Sequence, residues 1–134
     1  GWATELGLTD VYKEDSTPWC GLFMAVIMKR AFREPVKDPL FALNWNNFGV
    51  KVGQPMLGDV LTFTRRSGGH VGIYVGEDAA AYHVLGGNQG DRVSIVRIAK
   101  ERLSGVRRPA YNLQPLNVRK IILSANGQLS TNEA

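Results

Sequence analysis

The feature that most constrains the fold is a change of hydrophobic period near Gly58. Before it, apolar residues recur at helical spacing; after it, they recur at every second position. Leu22, Phe23, Val26 and Ile27 share one helical face, and Met24 and Met28 widen the stripe. Thr17 suits an N-cap, because its hydroxyl can accept a free backbone N–H, and Pro18 suits the first helical position, where no N–H is needed. The pattern therefore predicts a helix opening at Thr17-Pro18-Trp19-Cys20 and ending near Phe32 or Arg33, before Pro35. A second helix is predicted over Pro39–Phe48, with Asp38 as N-cap and Gly49 just past its end.

From Gly58 onward the alternation predicts strands. Val60, Leu61 and Phe63 form one; Val71, Ile73 and Val75 form another, ended by Gly76. The glycine-rich link Arg65 to Gly69 joins them as a hairpin. Ala81 to Leu85 is a third strand, Gly86 to Asp91 a tight loop, Val93 to Ile98 a fourth strand, and Val106 to Arg108 a short fifth. Helices followed by an antiparallel meander predict the α+β class.

The organisation expected is one domain over residues 1–110. Residues 111–134 are expected to be a linker or C-terminal extension, the alternative being a last strand, Val118 to Leu123, packed on the domain. A chain of 134 residues with 44% hydrophobic content can bury a core without disulfides or metal. Its one cysteine excludes an internal disulfide. Two histidines and no C-x-x-C or H-x-x-x-H spacing speak against zinc, so neither metal nor cofactor is expected. No apolar run reaches membrane-spanning length, and no signal-peptide pattern is present, so no stable membrane insertion is expected of this segment. The net charge of +4 favours polyanions, cell-wall polymers among them. No nucleic-acid motif accompanies it, so nucleic acid is not an expected partner. A monomer is expected.

The chemistry centres on Cys20 and His70. A cysteine in a helix's first turn meets unpaired backbone N–H groups and the positive end of the helix dipole, and both favour a thiolate. His70 follows Ser67-Gly68-Gly69 at the start of a strand. A histidine at the sheet's rim facing a helix-terminal thiol is the arrangement a thiolate–imidazolium pair requires. A third group must hold the imidazole tautomer: Asn88, with Gln89 as the rival and Asp91 a weaker one. Trp19, Gln89 and Gly69 are candidate substrate contacts, and Trp45 could also wall a cleft. His83 alternates in phase with Ala81 and Leu85 and reads as a satisfied core or surface residue. Asp59 reads as an anchor for the turn before its strand. Asp10, Glu14 and Asp15 match no calcium-loop spacing and read as solvated turn charges.

Five blocks carry a family resemblance. They are Thr17-Pro18-Trp19-Cys20-Gly21-Leu22-Phe23, Gly58-Asp59-Val60-Leu61-Thr62-Phe63 and Gly69-His70-Val71-Gly72-Ile73-Tyr74-Val75-Gly76. Two more follow: Leu85-Gly86-Gly87-Asn88-Gln89-Gly90-Asp91-Arg92-Val93 and Arg107-Arg108-Pro109. In this order they resemble the CHAP and NlpC-type cysteine peptidase and amidase superfamily, most closely a phage- and prophage-associated branch, over about Asp15 to Pro109. The resemblance implies a papain-like fold: N-terminal helices, with the cysteine at a helix N-terminus, packed on an antiparallel sheet. It implies Cys20 as nucleophile, His70 as base and Asn88 as orienting residue. It further implies peptidoglycan as substrate, cut as an N-acetylmuramoyl-L-alanine amidase or as a stem-peptide or cross-bridge endopeptidase. Such a hydrolase acts at the bacterial cell wall, whether secreted, periplasmic or phage-delivered. Many CHAP relatives carry Glu two residues before the Asn; here that position is Gly86, so a Glu-assisted arrangement is not expected. An acyltransferase, a protein-directed cysteine peptidase and a non-catalytic wall-binding module are the alternatives.

Overall fold

The computed structural model describes residues 19–31, 33–65, 68–88, 92–109, 115–125, 127 and 129–130, with Asn88 described by its backbone. Within them lie one α-helix, α1 (Trp19–Arg30), and a 3₁₀ segment, η1 (Ala42–Asn47). The strands are β1 (Val50–Lys51), β2 (Val60–Arg65), β3 (Gly68–Glu77), β4 (Ala81–Asn88), β5 (Arg92–Ala99) and β6 (Leu103–Arg108). A single 3₁₀ turn, Lys100–Arg102, links β5 to β6. All six strands join one antiparallel sheet in the order β1-β6-β2-β3-β4-β5.

This architecture corrects the expected fold class. The described chain is mostly antiparallel sheet with one α-helix, not a papain-like α+β fold led by N-terminal helices. The expected helix over 39–48 fails for a local reason. Asp38 does not cap a helix; its φ is +52°. The Asn44 side-chain amide donates to the Asp38 carbonyl, and the Trp45 indole N–H donates to the Pro39 carbonyl. These side chains take carbonyls that a helix would bond from its own backbone. Asn is also a weak helix former, and Asn46 turns away to accept from the Thr62 hydroxyl. Only the 3₁₀ stretch Ala42–Asn47 remains.

Smaller differences concern boundaries. α1 ends at Arg30, and its expected cap, Thr17 and Pro18, lies outside the described residues. β3 starts at Gly68, which places His70 inside the strand rather than at its start. β4 runs on to Asn88, so Gly86, Gly87 and Asn88 are strand rather than loop. Val71 and Ile73 join the core beneath α1, but an irregularity between Tyr74 and Gly76 interrupts the alternation before Val75.

The sheet has two packed faces. On one, α1 covers β3 and β4 while η1 covers β2, β3 and β6. Cys20, Phe23, Met24, Met28, Trp45, Phe48, Val60 and Val71 form that core. The other face holds Leu61, Phe63, Tyr74, Tyr82, Val84, Ile98 and Val106. The rings of Phe63 on β2 and Tyr82 on β4 stand 6.4 Å apart. Next-nearest strands are separated by about 9.5 Å, so these rings lean toward each other across β3.

Part of the C-terminal segment packs along this second face. Ile121 joins the second core, the Leu57 N–H donates to the Arg119 carbonyl, and Glu77 exchanges backbone bonds with Ile121 and Leu123. The Tyr74 hydroxyl donates to Glu77 at 2.9 Å and accepts from the Ile121 N–H at 3.1 Å. Among the described residues, no helix is long and apolar enough to cross a membrane.

Candidate active site

Cys20 is the second residue of α1 and is buried against the sheet at 4% exposure. Burial pushes its thiol pKa above the ordinary value. Opposing that rise are the backbone N–H of Val71 on β3, the charge of Arg65 at the end of β2, and the backbone N–H groups of Gly21 and Cys20. The resting group is therefore a thiol. Three backbone donors and the charge of the Arg65 guanidinium thus favour negative charge on the sulfur. Such a cradle stabilises a thiolate or the oxyanion of a tetrahedral intermediate more than a neutral ground state.

His70 is one residue before Val71 and almost fully buried. Register decides which way it points. It pairs with Phe63, and side chains directly opposite in an antiparallel pair share a face. The two rings lie 6.4 Å apart. Phe63 belongs to the second core, whereas Val71 and Cys20 belong to the core beneath α1. Thiol and imidazole thus approach β3 at neighbouring residues but from opposite faces. The expected face-to-face pair is not the arrangement this structure holds.

Gly86 and Gly87 show why β4 carries no side chains here. A Cβ on Gly86 would stand 3.2 Å from His70 Nε2. A Cβ on Gly87, pointing to the other face, would overlap Phe23 Cβ and stand 2.9 Å from the Trp19 carbonyl oxygen. One glycine therefore makes room for the imidazole, and the next seats the first turn of α1 and with it Cys20. Asn88 follows as the last residue of β4, paired with Arg92. Its backbone reaches the same rim; its side chain and all of Gln89 and Asp91 lie outside the described residues.

The candidate substrate contacts divide. Trp19 is half-buried at the start of α1, on the Cys20 rim. Gly69 sits beneath Leu43 of η1, whose Cγ would be 2.6 Å from a Cβ there, so its smallness serves packing. Trp45 is fully buried, its ring 5.4 Å from Phe48, and walls no cleft. Asp59 is held by Arg108 through two bonds of 2.7 and 2.8 Å and accepts from the Met56 N–H. His83 contacts Asp78 at 2.7 Å, and Arg97 donates to the same carboxylate, toward the opposite end of β4 from Cys20. Among the described residues no His, Cys, Asp and Glu cluster could hold a metal ion.

Two contributors to the site carry little sequence signal. Arg65 reads as one of several surface cations until the hairpin places it near the thiol. The Val71 donor is a backbone group, which no residue identity announces. The Gly86-Gly87 pair reads as loop glycine in the sequence; only its placement in β4 makes it the mark of a close backbone approach. The chain matches no protein-family model and no curated protein.

Proposed function

We propose that this chain is a cysteine-dependent amide hydrolase with Cys20 as nucleophile and peptidoglycan as substrate. The observation that carries the chemistry is the placement of Cys20 in the first turn of α1, with the N–H groups of Cys20, Gly21 and Val71 and the Arg65 charge converging on it. The substrate is supported by the five ordered sequence blocks that resemble CHAP and NlpC-type enzymes.

The reaction starts from a protonated thiol, so a base must take its proton. His70 is the histidine at this rim. Its ring faces Phe63 and Gly86 in the resting structure, so the proton transfer needs a rearrangement that brings thiol and imidazole together. The thiolate attacks the amide carbonyl, and the backbone donors hold the oxyanion. The imidazolium then protonates the leaving amine, the carbon–nitrogen bond breaks to leave a thioester, and water hydrolyses the thioester. Asn88 orients the imidazole, with Gln89 as the other candidate.

One observation favours a second reading. Cys20 is a buried member of the core with a raised pKa, as expected of a thiol that only fills space. Digestion of purified peptidoglycan by wild type, Cys20→Ala and His70→Ala, with mass spectrometry of the products, separates the two. The hydrolase reading expects muropeptides with new amine or carboxyl ends from wild type alone. Equal digestion by Cys20→Ala makes the cysteine a packing residue. Release of peptides from casein without muropeptides removes the substrate assignment.

A further inference from the structure

β5 is the outermost strand of the sheet, and among the described residues its outer edge is covered at one end only. The Ser130 N–H donates to the Arg97 carbonyl at 2.7 Å, and Leu129 bridges Arg97 in parallel. That bond reveals which residues of β5 face outward. In an antiparallel strand the N–H and C=O of one residue point to one side, and those of the next residue point to the other. Arg97 points outward, so Ile95 and Val93 do too, while Arg92, Ser94 and Val96 face β4. Among the described residues nothing pairs with the outward groups of Val93 and Ile95. Proteins commonly blunt an edge with lysine, proline or a bulge. β5 has neither lysine nor proline, and its register with β4 is regular along its whole length. The side chains at the open end are also apolar. Val93 pairs with Gly87 and Ile95 with Leu85, so both lie on the face that carries α1. The helix packs chiefly on β3 and β4, and Val93 and Ile95 beside it are 49% and 59% exposed.

We propose that the edge 92–96 pairs antiparallel with the same edge of a second copy, in a two-fold dimer centred on Ser94. The strand's own order of residues selects both the partner and the register. Backbone bonds across the edge must join outward residues to outward residues, which leaves few registers. Centring on Ile95 or Val96 sets Val93 or Ile95 against Arg97, whose carbonyl the C-terminal segment already holds. Centring on Val93 sets Ile95 against Asp91, which precedes the strand. Centring on Ser94 sets Val93 against the second copy's Ile95, and Ile95 against its Val93. Each such pair exchanges two N–H to O=C bonds, and the four apolar side chains close into one strip between the two α1 helices. The two Arg92 side chains then stand four residues apart, roughly 14 Å, beyond the screening length at physiological salt. The segment at Arg97 ends the pairing after five residues. A standard stable interface engages roughly 20–30 residues a side, so this dimer is weak, with a Kd on the order of 0.1 mM. The monomer expected from the sequence is thereby the dilute form. Nothing in this pairing depends on the chemistry of Cys20.

Sedimentation equilibrium of the full chain tests the association. Between about 10 µM and about 1 mM the average mass should rise from one copy toward two. Ile95→Lys places a charge in the apolar strip and should hold the protein monomeric over that range. An unchanged melting temperature shows that this exposed substitution leaves the fold intact. Ile95→Pro should act likewise, because it removes an outward N–H and no bond to β4. Cross-linking tests the register. In a Cys20→Ala background, Ser94→Cys places two thiols directly opposite each other, with Cα atoms about 4.5 Å apart, within disulfide reach. Val96→Cys places them roughly 14 Å apart, out of reach. Mild oxidation should therefore link the Ser94→Cys protein into dimers and leave the Val96→Cys protein unlinked. A wild type that stays monomeric to about 1 mM overturns the proposal. Association that survives both Ile95 substitutions overturns the edge as the interface, and equal cross-linking at 94 and 96 overturns the register.

Discussion

Substituting Gly87 by alanine probes the joint that places Cys20. The added Cβ would overlap Phe23 Cβ, stand 2.9 Å from the Trp19 carbonyl oxygen and stand 3.1 Å from Phe23 Cγ. Unstrained heavy-atom contacts lie near 3.5–4.0 Å, so the first turn of α1 must move by several tenths of an ångström or more. Overpacking of this kind costs about 1–3 kcal/mol. Replacing a strand glycine returns roughly 0.5–1 kcal/mol through reduced chain entropy. The net expectation is a loss of about 1–2 kcal/mol, or a fall in Tm of roughly 3–8 °C for a domain of this length. Displacing that turn also exposes the thiol. Thermal unfolding by circular dichroism measures the first effect, and the rate of Cys20 modification by a disulfide reagent measures the second. Gly53→Ala is the control: a Cβ there meets nothing within 4 Å, so Tm should hold or rise slightly. If Gly87→Ala matches the control in both assays, α1 is not seated on β4 as described and the reasoning fails.

Three further outcomes follow from buried groups. Burial raises the Cys20 pKa in the native state, so its contribution to stability is complete below the ordinary thiol range and lost as pH rises through the raised value. Cys20→Ala should therefore flatten the alkaline fall of Tm, and native wild type should react slowly with iodoacetamide at neutral pH; rapid labelling there contradicts the burial. Arg108→Met leaves the buried Asp59 carboxylate without its two guanidinium bonds and should cost about 3 kcal/mol, read as a lower urea midpoint; a change within error would make the pair dispensable. Hydrogen bonds from Arg97 first, then His83 and the Ala80 N–H, hold Asp78 well below the usual carboxylate range. That stabilisation is present above the ordinary carboxylate pKa and lost as pH falls through the depressed one. Asp78→Asn should lower stability at neutral pH and reduce its dependence on pH in the acid range, and an acid limb identical to wild type would refute the assignment.

Much of the sheet was legible because its signal is local. Alternation at Val60, Leu61 and Phe63 and at Val71 and Ile73 marks strands, and the glycine-rich link marks their hairpin. The helix beginning at or before Trp19 was legible for the same reason. The segment 39–48 was not. Its proline, aspartate and terminal glycine match helix punctuation, but Asn44 and Trp45 bond to carbonyls six residues back, and no propensity reports that competition. β1, only two residues long, exists because β6 is there to pair with it.

The candidate site divides in the same way. The sequence alone determined that one cysteine stands at the start of a helix and that His70 lies on a strand that follows; the Gly-Gly-Asn stretch reads as a loop, and the structure makes it the end of β4. It also determined the net positive charge, since composition needs no fold. Tertiary structure decided which groups meet. Register turned the His70 side chain toward Phe63 and the Val71 side chain toward the core that holds Cys20, because one residue along a strand reverses the face. Close packing decided that position 87 must be glycine for the helix carrying Cys20 to reach the sheet. Such decisions depend on atoms far apart in the chain, so they become visible only when β2, β3, β4 and α1 are assembled.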